Sequence, residues 1–112
     1  MKNRYSEDQL KVFYDKSNVD GMDYVNKNGE VIDNDVDKAY AKIIHQGDRQ
    51  TYQVKTYENT IFDPIGRLSN RENIIDTKMK NVSKNTFDYY VMYLKTNNSI
   101  YLTKANRSFI NE

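Results

Sequence analysis

Residues 87–109, FDYYVMYLKTNNSIYLTKANRSF, carry more aromatic surface than a short segment can hide against itself. The six aromatic residues of this segment are Phe87, Tyr89, Tyr90, Tyr93, Tyr101 and Phe109. The same segment contains three cations, Lys95, Lys104 and Arg107, and a single acid, Asp88. Because each aromatic ring has a large apolar area, this segment must either fill a core or contact another molecule.

Two secondary structures fit this segment. As helices, it places Phe87, Tyr90, Val91 and Leu94 on one stripe and Leu102, Ala105 and Phe109 on a second. As strands, YYVMYLKT and SIYLT would form a β-hairpin around Asn97-Asn98. We favour an αα-hairpin, because Asn85 and Ser99 are placed to cap two helices and TKANRSF is a helical ending.

In the helical arrangement, some tyrosines lie outside the apolar stripe that faces the core. Tyr89 and Tyr93 are four residues apart and lie away from the Phe87 stripe, so both stripes cannot face one small core. Exposed tyrosines supply rigid, amphipathic contact area of the kind enriched at protein interfaces. We therefore predict that Tyr89, Tyr93 and Tyr101 bind a protein, unless a neighbouring element covers this side of the helix.

Capping signals predict further helices before residue 87. Ser6 and Gln9 form a capping box for a helix over residues 7–16. A second helix is predicted from a cap at Asn34 or Asp35 to Gly47. Its apolar stripe is Val36, Ala39, Tyr40, Ile43 and Ile44. A third capping box, Ser69 and Glu72, precedes a short helical stripe of Ile74, Ile75 and Met79, with Val82 beyond it.

Strands are predicted in two places. Tyr24-Val25 and Val31-Ile32 flank Asn28-Gly29, where glycine adopts a positive φ at no steric cost, so this stretch predicts a β-hairpin. Residues 51–57, TYQVKTY, are rich in β-branched and aromatic residues and predict a strand. The expected fold is a small, helix-rich α+β domain formed by residues 1–112 as a single unit.

An irregular loop is expected at residues 59–69, which contain the single proline, Pro64. Ile61, Phe62 and Ile65 make this loop too apolar to stand in solvent. We expect them to pack on their own domain or on a neighbouring protein, and we include them among the candidate protein-binding residues.

Charge is unevenly distributed, although the net charge is only +1. Residues 20–37 contain six acids and one base, and residues 77–111 contain six bases and one acid. Such opposite patches either meet within the chain or pair head to tail between copies. Asp33, Asp35 and Asp37 are therefore candidate protein-binding residues.

Catalytic and metal-binding patterns are missing from the sequence. There is no cysteine, so a thiolate metal site and a disulfide framework are excluded. His45 is the single histidine and cannot form a zinc site alone. Asn26 and Asn28 suit a calcium loop, but Tyr24 occupies the position that requires a carboxylate. We expect no enzymatic activity, no metal and no cofactor.

Membrane and nucleic-acid functions are less well supported than protein binding. No apolar stretch is long enough to span a membrane, and the N-terminus lacks the apolar run of a signal peptide. We therefore expect a cytoplasmic or virion location. Lys95, Lys104 and Arg107 beside aromatic rings give a weak nucleic-acid-binding pattern.

These observations favour a non-enzymatic structural or assembly protein whose partners are copies of itself or other subunits. Fourteen asparagines, ten tyrosines and no tryptophan indicate A+T-rich coding, which is common in bacteriophages. We therefore expect a component of a phage capsid, neck or tail. Two alternatives remain open: a small inhibitor that binds a host protein through its acidic face, and a nucleic-acid-binding accessory protein.

Overall fold

The computed structural model describes residues 21–32, 39–64 and 77–112. These residues form six strands, β1 (Gly21–Val25), β2 (Val31–Ile32), β3 (Ala41–Gln46), β4 (Arg49–Tyr57), β5 (Thr60–Ile61) and β6 (Thr77–Val82). Two helices follow, α1 (Lys84–Thr96) and α2 (Ser99–Ile110). The expected α+β class is confirmed. The expected helix-rich character is wrong for the described residues, where strands cover more of the chain than helices do.

The six strands form one antiparallel sheet in which β2, β1, β3 and β4 follow one another, and both β5 and β6 pair with β4. The Lys55 N–H donates to the Tyr40 carbonyl, and the Lys55 carbonyl accepts from the Phe62 N–H. The N–H and C=O of one strand residue point to the same side. Therefore β3 and β5 share one edge of β4, β6 lies along the other edge, and β2 and β6 are at opposite ends of the sheet.

The core lies between one face of this sheet and the helical hairpin. Val25, Ala41 and Val54 are paired across three strands and are fully buried on the same face. The helical stripe predicted for α1 is confirmed, because Phe87, Tyr90, Val91 and Leu94 are at most 2% exposed. The Phe87 ring packs against that of Tyr52 with centroids 5.0 Å apart, so α1 is held directly on the sheet.

The predicted αα-hairpin is confirmed, and the alternative β-hairpin is wrong. Asn97 takes the left-handed conformation that ends α1, with φ of 58°, and Asn98 caps α2 through its side chain. The caps themselves are shifted from the predicted positions. Ser83 rather than Asn85 is the N-cap of α1, and Asn98 rather than Ser99 is the N-cap of α2.

A carboxylate from beyond α2 completes the start of α1. Glu112 accepts hydrogen bonds from the Ser83 N–H at 3.2 Å and from the Ser83 hydroxyl at 2.6 Å. The Thr86 hydroxyl also contacts Glu112. A negative charge at this position interacts favourably with the N-terminal end of the helix dipole. The two ends of the helical hairpin are thereby joined.

The two predicted strand regions are also confirmed. In the hairpin between β1 and β2, the Gly29 N–H donates to the Asn26 carbonyl and Gly29 has φ of 78°. The Asn26 side-chain oxygen accepts from the N–H groups of Asn28 and Glu30 and so fixes the turn. Residues 51–57 all lie in β4.

Two helix predictions are wrong where the structure describes them. Residues 41–46 form β3 instead of a helix, because Ala41, Ile43 and His45 alternate onto the buried face. Gly47 ends no helix; it stands with a φ of 62° in the turn from β3 to β4. Met79 and Val82 belong to the strand β6. In the loop predicted for residues 59–69, residues 60–61 form β5.

The remaining predictions on local structure concern residues outside the described ranges. They are the helix over residues 7–16, the proposed caps at Asn34, Asp35 and Ser69, and the packing of Ile65. The positions of Asp33, Asp35 and Asp37 also lie outside these ranges.

Candidate protein-binding surface

One face of α2 is buried and the opposite face is exposed. Tyr101 and Ala105, one turn apart, are at most 5% exposed and contact the core. On the other side Ile100 is 52% exposed and Ile110 is 72% exposed. We define the outer face of α2 as Ile100, Thr103, Lys104, Arg107 and Ile110, all of which are exposed. Helical spacing groups these five side chains on about one third of the helix circumference.

The outer face of α2 is positively charged. The sequence of α2, SIYLTKANRSFI, contains no acidic residue. In the described ranges, Lys104, Arg107 and the exposed Lys95 of α1 form no ion pair. Asp88 is buried and bonded to Lys84 at 3.0 Å, so its charge is already compensated on α1. This face therefore presents unneutralised cations between two exposed isoleucines.

Tyr89 is the predicted binding residue that lies beside this face. Its ring is half-buried, and the Lys104 ammonium lies 5.8 Å from the ring centroid. This geometry is a cation–π contact between α1 and α2. It keeps the Tyr89 ring at the border of the exposed surface.

The expected exposure of Tyr93 is wrong. Tyr93 and Tyr101 are 3% and 5% exposed, because the chain around Asp63 covers this side of α1. The Tyr93 hydroxyl donates a hydrogen bond to the Asp63 carboxylate. Burial, together with this hydrogen bond and the Asp63 charge, raises the pKa of Tyr93 far above its ordinary value. Tyr93 therefore stays a neutral donor across the physiological pH range.

Ile61 and Phe62 also pack on their own domain. They are 4% and 1% exposed. The Tyr90 hydroxyl donates to the Phe62 carbonyl at 2.7 Å, and the Ile61 N–H donates to the Asn106 side-chain oxygen at 3.1 Å. Both helices thus hold this part of the chain. The apolar side chains of Ile61 and Phe62 belong to the core rather than to the exposed surface.

Asp23, one of the six acids in residues 20–37, is buried in the structure. Asp23 is 6% exposed and lies 2.7 Å from His45 Nε2, which is equally buried. The Gln50 side chain lies 3.5 Å from the other ring nitrogen and accepts from the Tyr52 hydroxyl. Asp23 and His45 therefore satisfy each other's buried polar atoms. The inhibitor hypothesis then depends on Asp33, Asp35 and Asp37, outside the described ranges.

Metal binding and membrane crossing find no support in the geometry. Among residues 21–32, 39–64 and 77–112, no three His, Asp or Glu side chains are grouped in a way that could hold a metal ion. Neither α1 nor α2 combines the length and the apolar character that a membrane-crossing helix requires.

The sequence pattern predicted Tyr89 as a protein-binding residue and Lys104 and Arg107 as weak nucleic-acid-binding residues, and it missed Ile100 and Ile110. Helical spacing alone indicates that both isoleucines are exposed. Neither isoleucine belongs to the Leu102, Ala105 and Phe109 stripe, so an αα-hairpin leaves both of them outside the core.

Comparison with protein-family models, with curated proteins and with solved structures found no match to this chain. Its function must therefore be inferred from the geometry of the chain itself.

Proposed function

We propose that this protein is a non-enzymatic assembly component that binds protein through the outer face of α2. The observation that carries the proposal is the exposure of Ile100 and Ile110 on either side of Lys104 and Arg107. Ile100 and Ile110 add apolar contact area on both sides of Arg107, and arginine is enriched at protein interfaces. The fitting partner is a protein surface with apolar contact area and acidic side chains, and we place that surface on another copy of this chain.

A bacteriophage capsid, neck or tail is the finer part of this proposal. Its support is the composition, rich in asparagine and tyrosine and without tryptophan, which is typical of A+T-rich coding.

Sedimentation velocity over a concentration series tests this function. We expect the wild-type chain to self-associate, and we expect Ile100→Ser/Ile110→Ser to weaken that association at least about tenfold, equivalent to 1.4 kcal/mol. Met22→Ser is the matched control, because Met22 is also an exposed apolar residue, at 48%, but lies on β1. A wild-type chain that stays monomeric at all concentrations contradicts the proposal.

A second candidate function, binding of single-stranded nucleic acid, is favoured by one observation. Lys95, Lys104 and Arg107 are all exposed, and the Tyr89 ring lies beside Lys104. Fluorescence anisotropy with a single-stranded DNA oligonucleotide separates the two functions. Nucleic-acid binding predicts affinity that falls steeply with salt and with Lys104→Ala or Arg107→Ala, whereas protein binding predicts no such complex.

A further inference from the structure

The outer face of α2 needs an acidic partner before two copies of it can meet. Lys104 and Arg107 are exposed on this face and form no ion pair within the described ranges. If two outer faces met, each copy would bring both cations into one contact, and like charges placed together in this way are unfavourable. Since α2 itself contains no acidic residue, the neutralising acid must come from another element.

Four acids are exposed in the described ranges, and two of them are already bonded. Glu30 accepts a hydrogen bond from the Asn26 side chain at 3.1 Å, and Glu112 accepts one from the residue that caps α1. The other two are Asp48 and Glu58, which make no hydrogen bond and no ion pair within the described part of the chain. These two carboxylates are therefore available to cations of another molecule.

Only Glu58 of these two acids lies beside α2. It is the first residue of the two-residue turn between β4 and β5. In β5 the Ile61 N–H donates to the side-chain oxygen of Asn106, the residue before Arg107 on α2, at 3.1 Å. Three residues of chain place the Cα of Glu58 within about 11 Å of that of Ile61. Asp48 precedes the nine-residue strand β4, which separates it from Glu58 by about 30 Å.

The backbone of Glu58 is also held in an unfavourable conformation. Its φ is 56°. A positive φ at the first position of a two-residue hairpin turn is normally met by glycine, which has no Cβ atom. A residue with a side chain loses stability in this conformation, and strain of this kind is concentrated at functional sites. A glutamate in this position is explained if its carboxylate binds a partner.

We propose that Glu58 of each copy pairs with Lys104 and Arg107 of the other copy, so that two outer faces of α2 close into a two-fold dimer. This inference rests on the proposed function and names the acidic side chain of its partner surface. The acid and the cations belong to one surface, which is therefore self-complementary. An isologous contact of this kind closes on two copies and uses the same surface of each.

Exchange of the charges tests the contact by sedimentation velocity. Glu58→Lys alone and Lys104→Glu/Arg107→Glu alone should each weaken self-association at least about tenfold, because like charges then meet. An equimolar mixture of the two variants should recover a dimer of wild-type affinity, since every charge again faces an opposite one. Thermal melting checks that each variant is folded, and Arg107→Glu alone replaces the double variant if that variant is not.

Asp48→Lys is the matched control for Glu58→Lys. It makes the same change of charge at an exposed acid in a turn, and it should leave self-association at the wild-type level. Glu58→Gly gives a second readout. It relieves the positive φ, so it should melt no lower than wild type while it weakens self-association. A purely structural role of Glu58 predicts unchanged association in this variant.

Failure of this inference can be told apart from failure of the proposed function. Equal effects of Glu58→Lys and Asp48→Lys, or a mixture of charge variants that stays monomeric, overturn the pairing of Glu58 with α2. The proposed function then still stands if Ile100→Ser/Ile110→Ser weakens self-association. A wild-type chain that is monomeric at all concentrations contradicts both.

Discussion

At the scale of single residues, Gly29 joins the sheet to the helices. Its φ of 78° is a conformation that residues with a side chain rarely adopt. A Cβ atom at this position would lie 2.4 Å from Lys95 Cγ, 3.2 Å from the Lys95 nitrogen and 3.3 Å from the Val91 carbonyl oxygen. The turn between β1 and β2 therefore contacts α1 so closely that a side chain at residue 29 would force Lys95 to move.

Gly29→Ala should destabilise the protein more than Gly47→Ala does. Both glycines have a positive φ, but a Cβ atom at Gly47 would meet no heavy atom within 4 Å. We expect about 1 kcal/mol for the backbone conformation at either site and about 1–3 kcal/mol more at Gly29 for overpacking. Urea unfolding curves of the two variants measure the difference.

The overpacking at Gly29 can be separated from its backbone cost. Lys95→Ala removes the nearest atom, Lys95 Cγ, so Gly29→Ala should cost less in that background. An unchanged cost would show that the turn does not press on the Lys95 side chain.

At the scale of elements, residues 61–63 are held by side chains from both helices. Tyr90 and Tyr93 of α1 bond Phe62 and Asp63, and Asn106 of α2 bonds the Ile61 N–H. This arrangement explains why an apolar loop with little regular structure can lie in the core. Its backbone groups find partners that a strand would otherwise supply.

Tyr93→Phe should loosen this loop. The variant keeps the ring but removes the donor to Asp63, and the hydrogen bond to a charged partner is worth about 1.5–3 kcal/mol. Tyr57→Phe is the control, because Tyr57 is a half-buried tyrosine of β4. Thermal unfolding measures stability, and hydrogen exchange of Ile61 and Phe62 measures local protection. Equal behaviour of the two variants would contradict the anchoring role.

The elements differ in how well the sequence predicts them. The αα-hairpin was predictable, because local caps and apolar stripes of period 3.6 agree there. The turn at Gly29 and the strand β4 were also predictable from local sequence. The turn is indicated by a glycine that adopts a positive φ, and the strand by a run of β-branched and aromatic residues. β3 was not predictable, since Ile43 and Ile44 are compatible with a helical stripe as well as with alternation. Its strand conformation depends on pairing with β1 and β4, which local sequence does not report.

At the scale of the whole molecule, burial decides which charges of the sequence reach the surface. The basic segment keeps Lys95, Lys104 and Arg107 on the surface, as sequence indicated. The acidic segment loses Asp23 to His45, which stands 22 residues away in the chain. Only tertiary structure brings these two together. For this reason the cations of the candidate site were predictable, but the partner of Asp23 and the burial of Tyr93 were not.

Glu112 should make the stability of the fold depend on pH. Burial alone would raise the pKa of Glu112, but hydrogen bonds from Ser83 and Thr86 outweigh this effect and lower it below the ordinary 4.5. A lowered folded pKa stabilises the protein above about 4.5 and ceases to do so as the pH falls through the folded value. Wild type should therefore exceed Glu112→Gln in stability at neutral pH, and the difference should vanish in acid.

The expected difference at pH 7 is at most about 1 kcal/mol, since the carboxylate is exposed and acts as a helix cap. Urea unfolding at a series of pH values measures it. Glu58→Gln is the control, because Glu58 is also exposed but lies in the turn between β4 and β5. A difference that persists at low pH would show that the Glu112 charge is not the cause.

The bonds between Ser83 and Glu112 also have a consequence in polymer terms. They join residues 29 positions apart, so they close the helical hairpin into a noncovalent loop. Closing a flexible loop of that length costs about 3 kcal/mol of chain entropy, which is more than these exposed hydrogen bonds supply. The packing of α1 on α2 must already hold the ends together before the carboxylate binds. Glu112 therefore stabilises a helical hairpin whose ends are already held together by the packing of α1 on α2.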